Sequence, residues 1–460
     1  MPQRLPHVSI VAVSRNDDHG GDMRTRMQFF VDGFIAQCRR HQLNAELILV
    51  EWNPPPDRPP LEDALTWPSD FGPASVRIVT VPPDLHRELE HSADLPLFQM
   101  IGKNVGIRRA RGQYVLATNV DILFDDGLVR YLTDSLQPGI ILRVDRYDVP
   151  SDLPRNVPFE AVLADCAKRF YHVSTRFGIF DVGQRQLLGM STNLEASVAS
   201  FVYGLRILGL PFRDPGSGWL RSIFGHLLIA AQVTASLLLR MLRLGQRYVW
   251  NIFPLRRLPI RLYWLGRRIV TWPVRIVQRG RRLIWTAGIA FARLLRLARR
   301  ETDATRRLRT SRWLHTWACG DFTLLSRQDW FTLRGYPEWP MYSWHIDSAL
   351  MFAAHALGLR QVILNVNYRI YHIDHAVGSG WSPDGVNLLF ARLEAKGIPY
   401  LSNEALREWQ VSVANNPATA IVNDENWGYG HHRLPERYVL PGGKTQVCGM
   451  HMQTQPFANA

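Results

Sequence analysis

The stretch GKNVGIRRARGQYVLATNVDILF, residues 102–124, sets a basic helix, a short apolar strand and an acidic turn one after another. Asn104 to Arg111 has helical spacing, and Gly112 reads as the end of that helix, where a left-handed residue costs little. Tyr114 to Ala117 reads as a buried strand, so Thr118, Asn119, Val120 and Asp121 fall at its carboxyl end. In open α/β sheets ligands bind along that edge, and a carboxylate there can hold a divalent cation against a diphosphate. Asn119 and Asp121 alone are equally well read as a turn, because both residue types bond their own backbone.

Two further runs end in the same way. Val8 to Val13 opens into Ser14, Arg15, Asn16, Asp17 and Asp18, and Ala45 to Val50 opens into Glu51, Trp52 and Asn53. This succession resembles the GT-A glycosyltransferases, in particular the large family-2-like group that uses nucleotide-sugar donors. The resemblance covers most of the chain outside its middle. It is carried by VSIVAVSRND (8–17), ELILVEWNPP (46–55), GKNVGIRRARGQYVLATNVD (102–121), CGDFTLLSRQDWFTLRGYPE (319–338) and WHIDSALMFAAHALGL (344–359).

The resemblance implies an α/β fold, a GT-A (Rossmann-like) mixed sheet flanked by helices, here interrupted by an Arg-rich, mainly helical insertion. It implies an inverting, hexosyltransferase-type enzyme with Mn²⁺ or Mg²⁺ held by Asp121. Ser14, Asn16, Asp17, Glu51, Asn53 and Asn104 would frame the nucleotide, with Lys103 touching phosphate. The family's acidic motif begins with Asp where this chain has Asn119. An amide carries no negative charge, so Asn119 would bond the ribose or add a neutral oxygen to the metal shell.

Asp347 stands where the family has its general base, in the first turn of a helix that begins near Ile346. A carboxylate there would take the acceptor hydroxyl's proton during attack on the anomeric carbon. The competing reading is a helix cap. The family's neighbouring acids are missing, Ile346 and Ala349 occupying their places. Val366 to His375 ends an extended run in His372 and His375, and family members often bring a late histidine to the cation. Residues three apart in a strand point to opposite faces, so one histidine is expected to reach Asp121, and His372 is preferred. The competing reading is a surface histidine pair beside a flexible GSGW loop, Gly378 to Trp381, with no metal; that loop reads equally as a lid hinged at Gly378 and Gly380. Ala318 to Leu325 reads as a strand followed by a helix capped by Ser326; within it Gly320 and Asp321 are read either as acceptor-side sugar contacts, as the resemblance implies, or equally as a strand-to-helix turn with a satisfied Asp. Arg143 and Asp145, and the segment from Asn423 to Trp427, are read either as sugar contacts or as internal pairs and packing.

Length and composition frame these expectations. With 460 residues, 46% of them apolar, the chain exceeds one average domain and has ample material for a core. Cys38, Cys166, Cys319 and Cys448 are scattered without zinc spacing, which fits a reducing compartment. The start lacks a signal-peptide pattern, and the catalytic half is therefore expected to face the cytoplasm. Charge is unevenly spread: residues Arg221 to Arg312 include 21 arginines, no lysine and two acids, a net +19, against +14 for the whole chain. The remainder is mildly acidic.

The expected organisation is a nucleotide-sugar-binding part at 1–212, the basic insertion at 213–312, an acceptor-side part at 313–430 and an irregular tail at 431–460. Within the insertion, arginines interleave with Trp, Tyr, Leu and Ile, a mixture suited to an anionic membrane surface. Phe224 to Leu239 runs for sixteen residues, short of the roughly 20 that span a bilayer, so peripheral or shallow attachment at the cytoplasmic side of the inner or plasma membrane is expected. The aliphatic content argues against a nucleic-acid partner. The expected partners are a nucleotide-sugar donor, a glycan or lipid-linked acceptor and the membrane surface. A helical hairpin packed on protein, a non-catalytic scaffold with the same fold and a sugar-phosphate nucleotidyltransferase are the competing readings.

Overall fold

The computed structural model describes residues 5–184, 186–190, 302–375 and 386–447. The chain divides into two units, Met1–Thr192 with Asp303–Ala460, and Asn193–Thr302. All of the second unit except Thr302 lies outside the described residues, and the expected membrane-associating segments lie there with it. Among the described residues no helix is long and apolar enough to cross a membrane.

The first unit is a mixed α/β body built on two sheets. Its strands are β1 (Val8–Ser14), β2 (Ala45–Trp52), β3 (Ser75–Val81), β4 (Tyr114–Thr118), β5 (Ile122–Phe124), β6 (Ile140–Arg143), β7 (Arg146–Val149) and β8 (His172–Thr175). They continue with β9 (Gly178–Asp181), β10 (Gln186–Met190), β11 (Phe322–Ser326), β12 (Arg360–Ile363), β13 (Ile370–Ile373), β14 (Glu436–Val439) and β15 (Thr445–Val447). The larger sheet runs β12-β6-β11-β4-β1-β2-β3-β14-β15, and the smaller runs β10-β9-β8-β7-β13-β5.

β1 pairs parallel with β2 and β4, and β2 pairs parallel with β3. These strands are nearly continuous Val, Ile and Leu because both of their faces are covered. Val8, Ile10, Leu47 and Leu49 meet Met27, Phe30 and Phe34 of the Met23–His41 helix on one side. Val11, Val13, Ile48 and Val50 meet Val105 of the Gln99–Arg109 helix on the other.

The Gln99–Arg109 helix lies unusually close to the sheet, and two glycines are the reason. A Cβ on Gly102 would sit 2.5 Å from Val13 Cγ2, and one on Gly106 would sit 2.4 Å from Val11 Cγ1. The helix starts before the expected Asn104 and ends at Arg109, with Ala110 extended. Gly112 is not its left-handed stop. Its N–H donates to Ser9 Oγ at 2.7 Å, and a Cβ there would meet the Ser9 backbone nitrogen at 2.5 Å. Close approach, not positive φ, excludes a side chain at that position.

Two boundaries differ from the sequence expectation. The body resumes at Asp303, where the Asp303–Ser311 helix sets the Arg307 guanidinium against the Ala414 carbonyl at 2.8 Å. The segment after residue 430 is not wholly irregular, since β14 extends the sheet antiparallel to β3. A buried ion pair fastens it, with Arg77 bound to Glu46 at 3.0 Å and to Glu436 at 2.9 Å. The stretch from Asn423 to Trp427 is packing: Asn423 Nδ2 bonds the Arg334 and Tyr336 carbonyls, and Trp427 is buried beneath Arg108.

Glu338 joins this C-terminal stretch to the helix, accepting from Asn104 Nδ2 at 2.9 Å and from the Gly428 N–H at 2.7 Å. Burial raises its pKa from 4.5 to about 7. A carboxyl raised on folding stabilises the fold most below the unfolded pKa, and that contribution is lost as pH rises through the folded one. Glu338→Gln should therefore raise the melting temperature at pH 8 and change it little at pH 4.5, as calorimetry at the two pH values would read. Gly106→Ala should lower the urea midpoint, because overpacking of about 1–3 kcal/mol exceeds the ~1 kcal/mol that alanine gains in a helix.

Candidate functional site

Strand order reverses direction at β1, with β2 and β3 on one side and β4 on the other, and this leaves a crevice at the carboxyl edge. Ser14 ends β1, Thr118 ends β4, and Asn119 and Asp121 follow it. After Asp121 the chain passes at once into β5 of the smaller sheet, which pairs antiparallel with β13 so that His372 lies opposite Ile122. The Ile373 N–H donates to the Asp121 carbonyl at 3.0 Å.

That register brings three side chains together. His372 Nε2 lies 3.8 Å and His375 Nε2 lies 3.6 Å from Asp121 Oδ2. Alternation predicts that only one histidine reaches the aspartate, but β13 ends at Ile373, so His375 sits beyond the pleat and both rings converge at 82°. One donor atom from each of the three residues lies within 4.8 Å of the others. A cation about 2.1 Å from three tetrahedral donors holds them about 3.4 Å apart, close to the spacing found here. Asp121 Oδ1 is buried without a hydrogen-bond partner among the described residues. One carboxylate, two imidazoles and an unsatisfied buried oxygen fit a divalent cation.

A second layer orients this group. Asp148 on β7 is in register with His372, and its Oδ1 lies 3.0 Å from His372 Nδ1, leaving Nε2 toward Asp121. Arg146, two residues earlier on the same face, bridges Asp148 at 2.9 Å and Asp321 at 2.8 Å. Burial works against the Asp148 charge, yet Arg146 and His372 hold its pKa down at about 2. Burial and Arg146 depress His372, but its bond to Asp148 and the charges of Asp121 and Asp148 outweigh them, so its pKa lies above the ordinary value. Burial beside His372 lowers His375 to about 4, which keeps that ring neutral at physiological pH. Asp148 and Arg146 were missed in the sequence, although the alternation after Arg143 contains them.

Asp347 lies in the first turn of the Ile346–Ala356 helix, where His345 holds the cap position with φ 62°. Its Oδ2 accepts the Gly320 N–H and its Oδ1 the Ser348 N–H, at 2.7 and 2.8 Å. Gly320 and Asp321 connect it to the acidic turn. Asn119 Nδ2 donates to Asp321 Oδ1 at 2.6 Å, Asn119 Oδ1 accepts from Gln99, and Thr118 Oγ1 donates to the Asp321 carbonyl. Asn119 thus ties two loops together and is engaged at both ends of its amide.

The remaining residues divide sharply. Ser14 Oγ is buried at the end of β1 and has no hydrogen-bond partner among the described residues. Asn16 bonds the Pro59 carbonyl, and Asp17 accepts the His19 N–H beside Arg15. Glu51 is buried, accepts the Leu61 N–H, and is raised in pKa by that burial. Asn53 has φ 44° and donates its N–H to the Val81 carbonyl, so it forms a turn. Asn104 does not frame a ligand; it is fully buried and bonds both backbone groups of Tyr336. Lys103 is fully buried as well, its Nζ on the Gly320 carbonyl at 2.7 Å, which rules it out as a surface phosphate contact in this conformation. Arg143 is an internal strut on the Trp317 and Cys319 carbonyls, and Asp145 pairs with buried His315 at 3.3 Å. The GSGW loop lies outside the described residues.

No protein-family model matches the chain, and no curated protein matches it. Function therefore has to be argued from the site. Removing the orienting carboxylate in Asp148→Asn should weaken Mn²⁺ or Co²⁺ binding about 10- to 100-fold, as read by titration calorimetry of the metal alone.

Proposed function

We propose that the protein is a metal-dependent, inverting glycosyltransferase of the GT-A type, moving a sugar from a nucleoside diphosphate to an acceptor hydroxyl. The reading is supported chiefly by Asp121, His372 and His375 converging at the carboxyl edge of β4, with Asp347 joined to the same turn through Gly320 and Asp321. Asp121, His372 and His375 would hold Mn²⁺ or Mg²⁺, and two imidazole donors favour Mn²⁺. A bound cation supplies charge that offsets the negative charge developing on the leaving diphosphate. Asp347 takes the proton of the acceptor hydroxyl while that oxygen attacks the anomeric carbon from the side opposite the diphosphate. The sugar–phosphate bond breaks, a glycosidic bond forms with inverted configuration, and the nucleoside diphosphate leaves. Ser14, with its unengaged hydroxyl, and the nearby Asn16 and Asp17 would contact the nucleotide.

The acceptor is proposed to be a glycan or lipid-linked intermediate of envelope polysaccharide synthesis, met at the cytoplasmic face of a membrane. The support for that placement is compositional: a mildly acidic body carries an insertion rich in arginine, tryptophan and leucine.

Purified protein incubated with uridine, guanosine and thymidine diphosphate sugars plus Mn²⁺ should release nucleoside diphosphate. Asp121→Ala should abolish metal-linked nucleotide binding while the melting temperature stays within a few degrees. Asp347→Asn should retain that binding and lose about 10²- to 10⁴-fold in turnover. Release of pyrophosphate would instead point to nucleotidyl transfer. Nucleotide binding indifferent to metal in the wild-type protein would defeat the proposal.

A further inference from the structure

The Gly320 peptide is gripped from both ends. Its N–H donates to Asp347 Oδ2 at 2.7 Å, and its carbonyl accepts from Lys103 Nζ at 2.7 Å. A Cβ on Gly320 would press on Asp347 Oδ2 at 3.3 Å and come into ordinary contact with Lys103 Nζ at 3.7 Å. The next residue, Asp321, is held by Asn119, Thr118 and Arg146. Ala318, two residues before Gly320, has φ 49° and its carbonyl accepts the Asp321 N–H, so this is a tight turn whose geometry is set by what binds it.

We propose that Lys103 is a positioning residue: by holding the Gly320 carbonyl it aims the Gly320 N–H at Asp347 and thereby fixes the carboxylate that acts as base. The inference rests on the reading of Asp347 given above. Burying an ammonium is costly unless it is paired, and nothing about a solvent-facing phosphate contact requires it. Burial brings Lys103 down to about 8, while Asp321, Asp347 and Asp121 pull it back toward the charged form. The lysine therefore lies among the carboxylates of both sides of the site. Its stem is fixed by the helix that Gly102 and Gly106 hold against β1, so the rigid sheet determines where the Gly320 carbonyl is bound.

The test compares Lys103→Met, which keeps the stem's length and removes charge and donor, with Gly320→Ala, which presses on Asp347 from the other side. Lys103→Met leaves the Gly320 carbonyl and the nearby carboxylates without the buried ammonium, so its melting curve is recorded first, and Gly320→Ala, which keeps that charge, is the second variant should it unfold. Amide hydrogen exchange measured by mass spectrometry should rise at least 10-fold in the peptide spanning 318–323 of Lys103→Met, with the β1 and β2 peptides unchanged. Nucleoside diphosphate binding in Mn²⁺ should stay within about 3-fold of wild type in both variants, while donor turnover falls at least 100-fold. Unchanged exchange across 318–323 overturns the clamp whether or not the protein turns over any donor. Nucleotide affinity falling in step with turnover overturns it in favour of a phosphate contact. A wild-type protein without metal-linked nucleotide binding defeats the functional reading, and the exchange result still decides whether Lys103 holds the turn.

Discussion

Much of the body depends on how closely one helix approaches the sheet. Gly102 and Gly106 let the Gln99–Arg109 helix press against Val11 and Val13, and that contact buries the two polar residues between them in sequence, Lys103 and Asn104. Each polar residue then has to find a partner inside the protein. Lys103 finds the Gly320 turn, and Asn104 finds Tyr336 and Glu338. One close packing contact therefore fixes two loops that are more than two hundred positions distant in the chain. A larger residue at either glycine would push the helix outward and displace both loops at once.

The interior holds many charges, and they form chains in place of isolated pairs. Arg77 binds Glu46 and Glu436, and Arg146 binds Asp148 and Asp321. Desolvation makes a buried ion pair a weak source of net stability, but removing one partner is costly because the other is then left uncompensated. Such chains favour one arrangement over near alternatives. Their placement is consistent with that role: the Arg77 chain fastens the late strand β14 to β3, and the Arg146 chain fastens the larger sheet's Gly320–Asp321 turn to β7 of the smaller sheet.

Legibility in the sequence followed how local each cause was. β1, β2 and β4 were readable as unbroken apolar runs, and Ser326 as the cap of its helix, because strand burial and capping leave marks within a few residues. Asp121 and His372 could be suspected of meeting, yet the second histidine could not. Alternation holds only while a strand lasts, and the end of β13 at Ile373 depends on its pairing with β5 and β7. Lys103 and Asn104 looked like ligand contacts since they stand on a basic helix next to the acidic turn. Their burial follows from glycine spacing whose effect appears only against the sheet. The pairing of β14 with β3 was illegible for the same reason, resting on Arg77 far away in the chain. Asp148 stands in the charged alternation after Arg143, but it acquires meaning only opposite His372.

The acidic turn is the joint between the sheets, which explains why so much converges there. β4 ends at Thr118 and β5 begins at Ile122, leaving Asn119, Val120 and Asp121 to cross from the larger sheet to the smaller. In that crossing Asn119 is held by Gln99 and Asp321, while Asp121 is delivered to the two histidines on and just beyond β13 of the smaller sheet. An aspartate at position 119 would set a second carboxylate against Asp321, where an amide donates a 2.6 Å hydrogen bond instead. The amide is thus what the local electrostatics favour once Asp321 is drawn in by Arg146. Asn119 is thus a bridge between loops, and the side chains that converge beyond the turn are one carboxylate, Asp121, and two imidazoles.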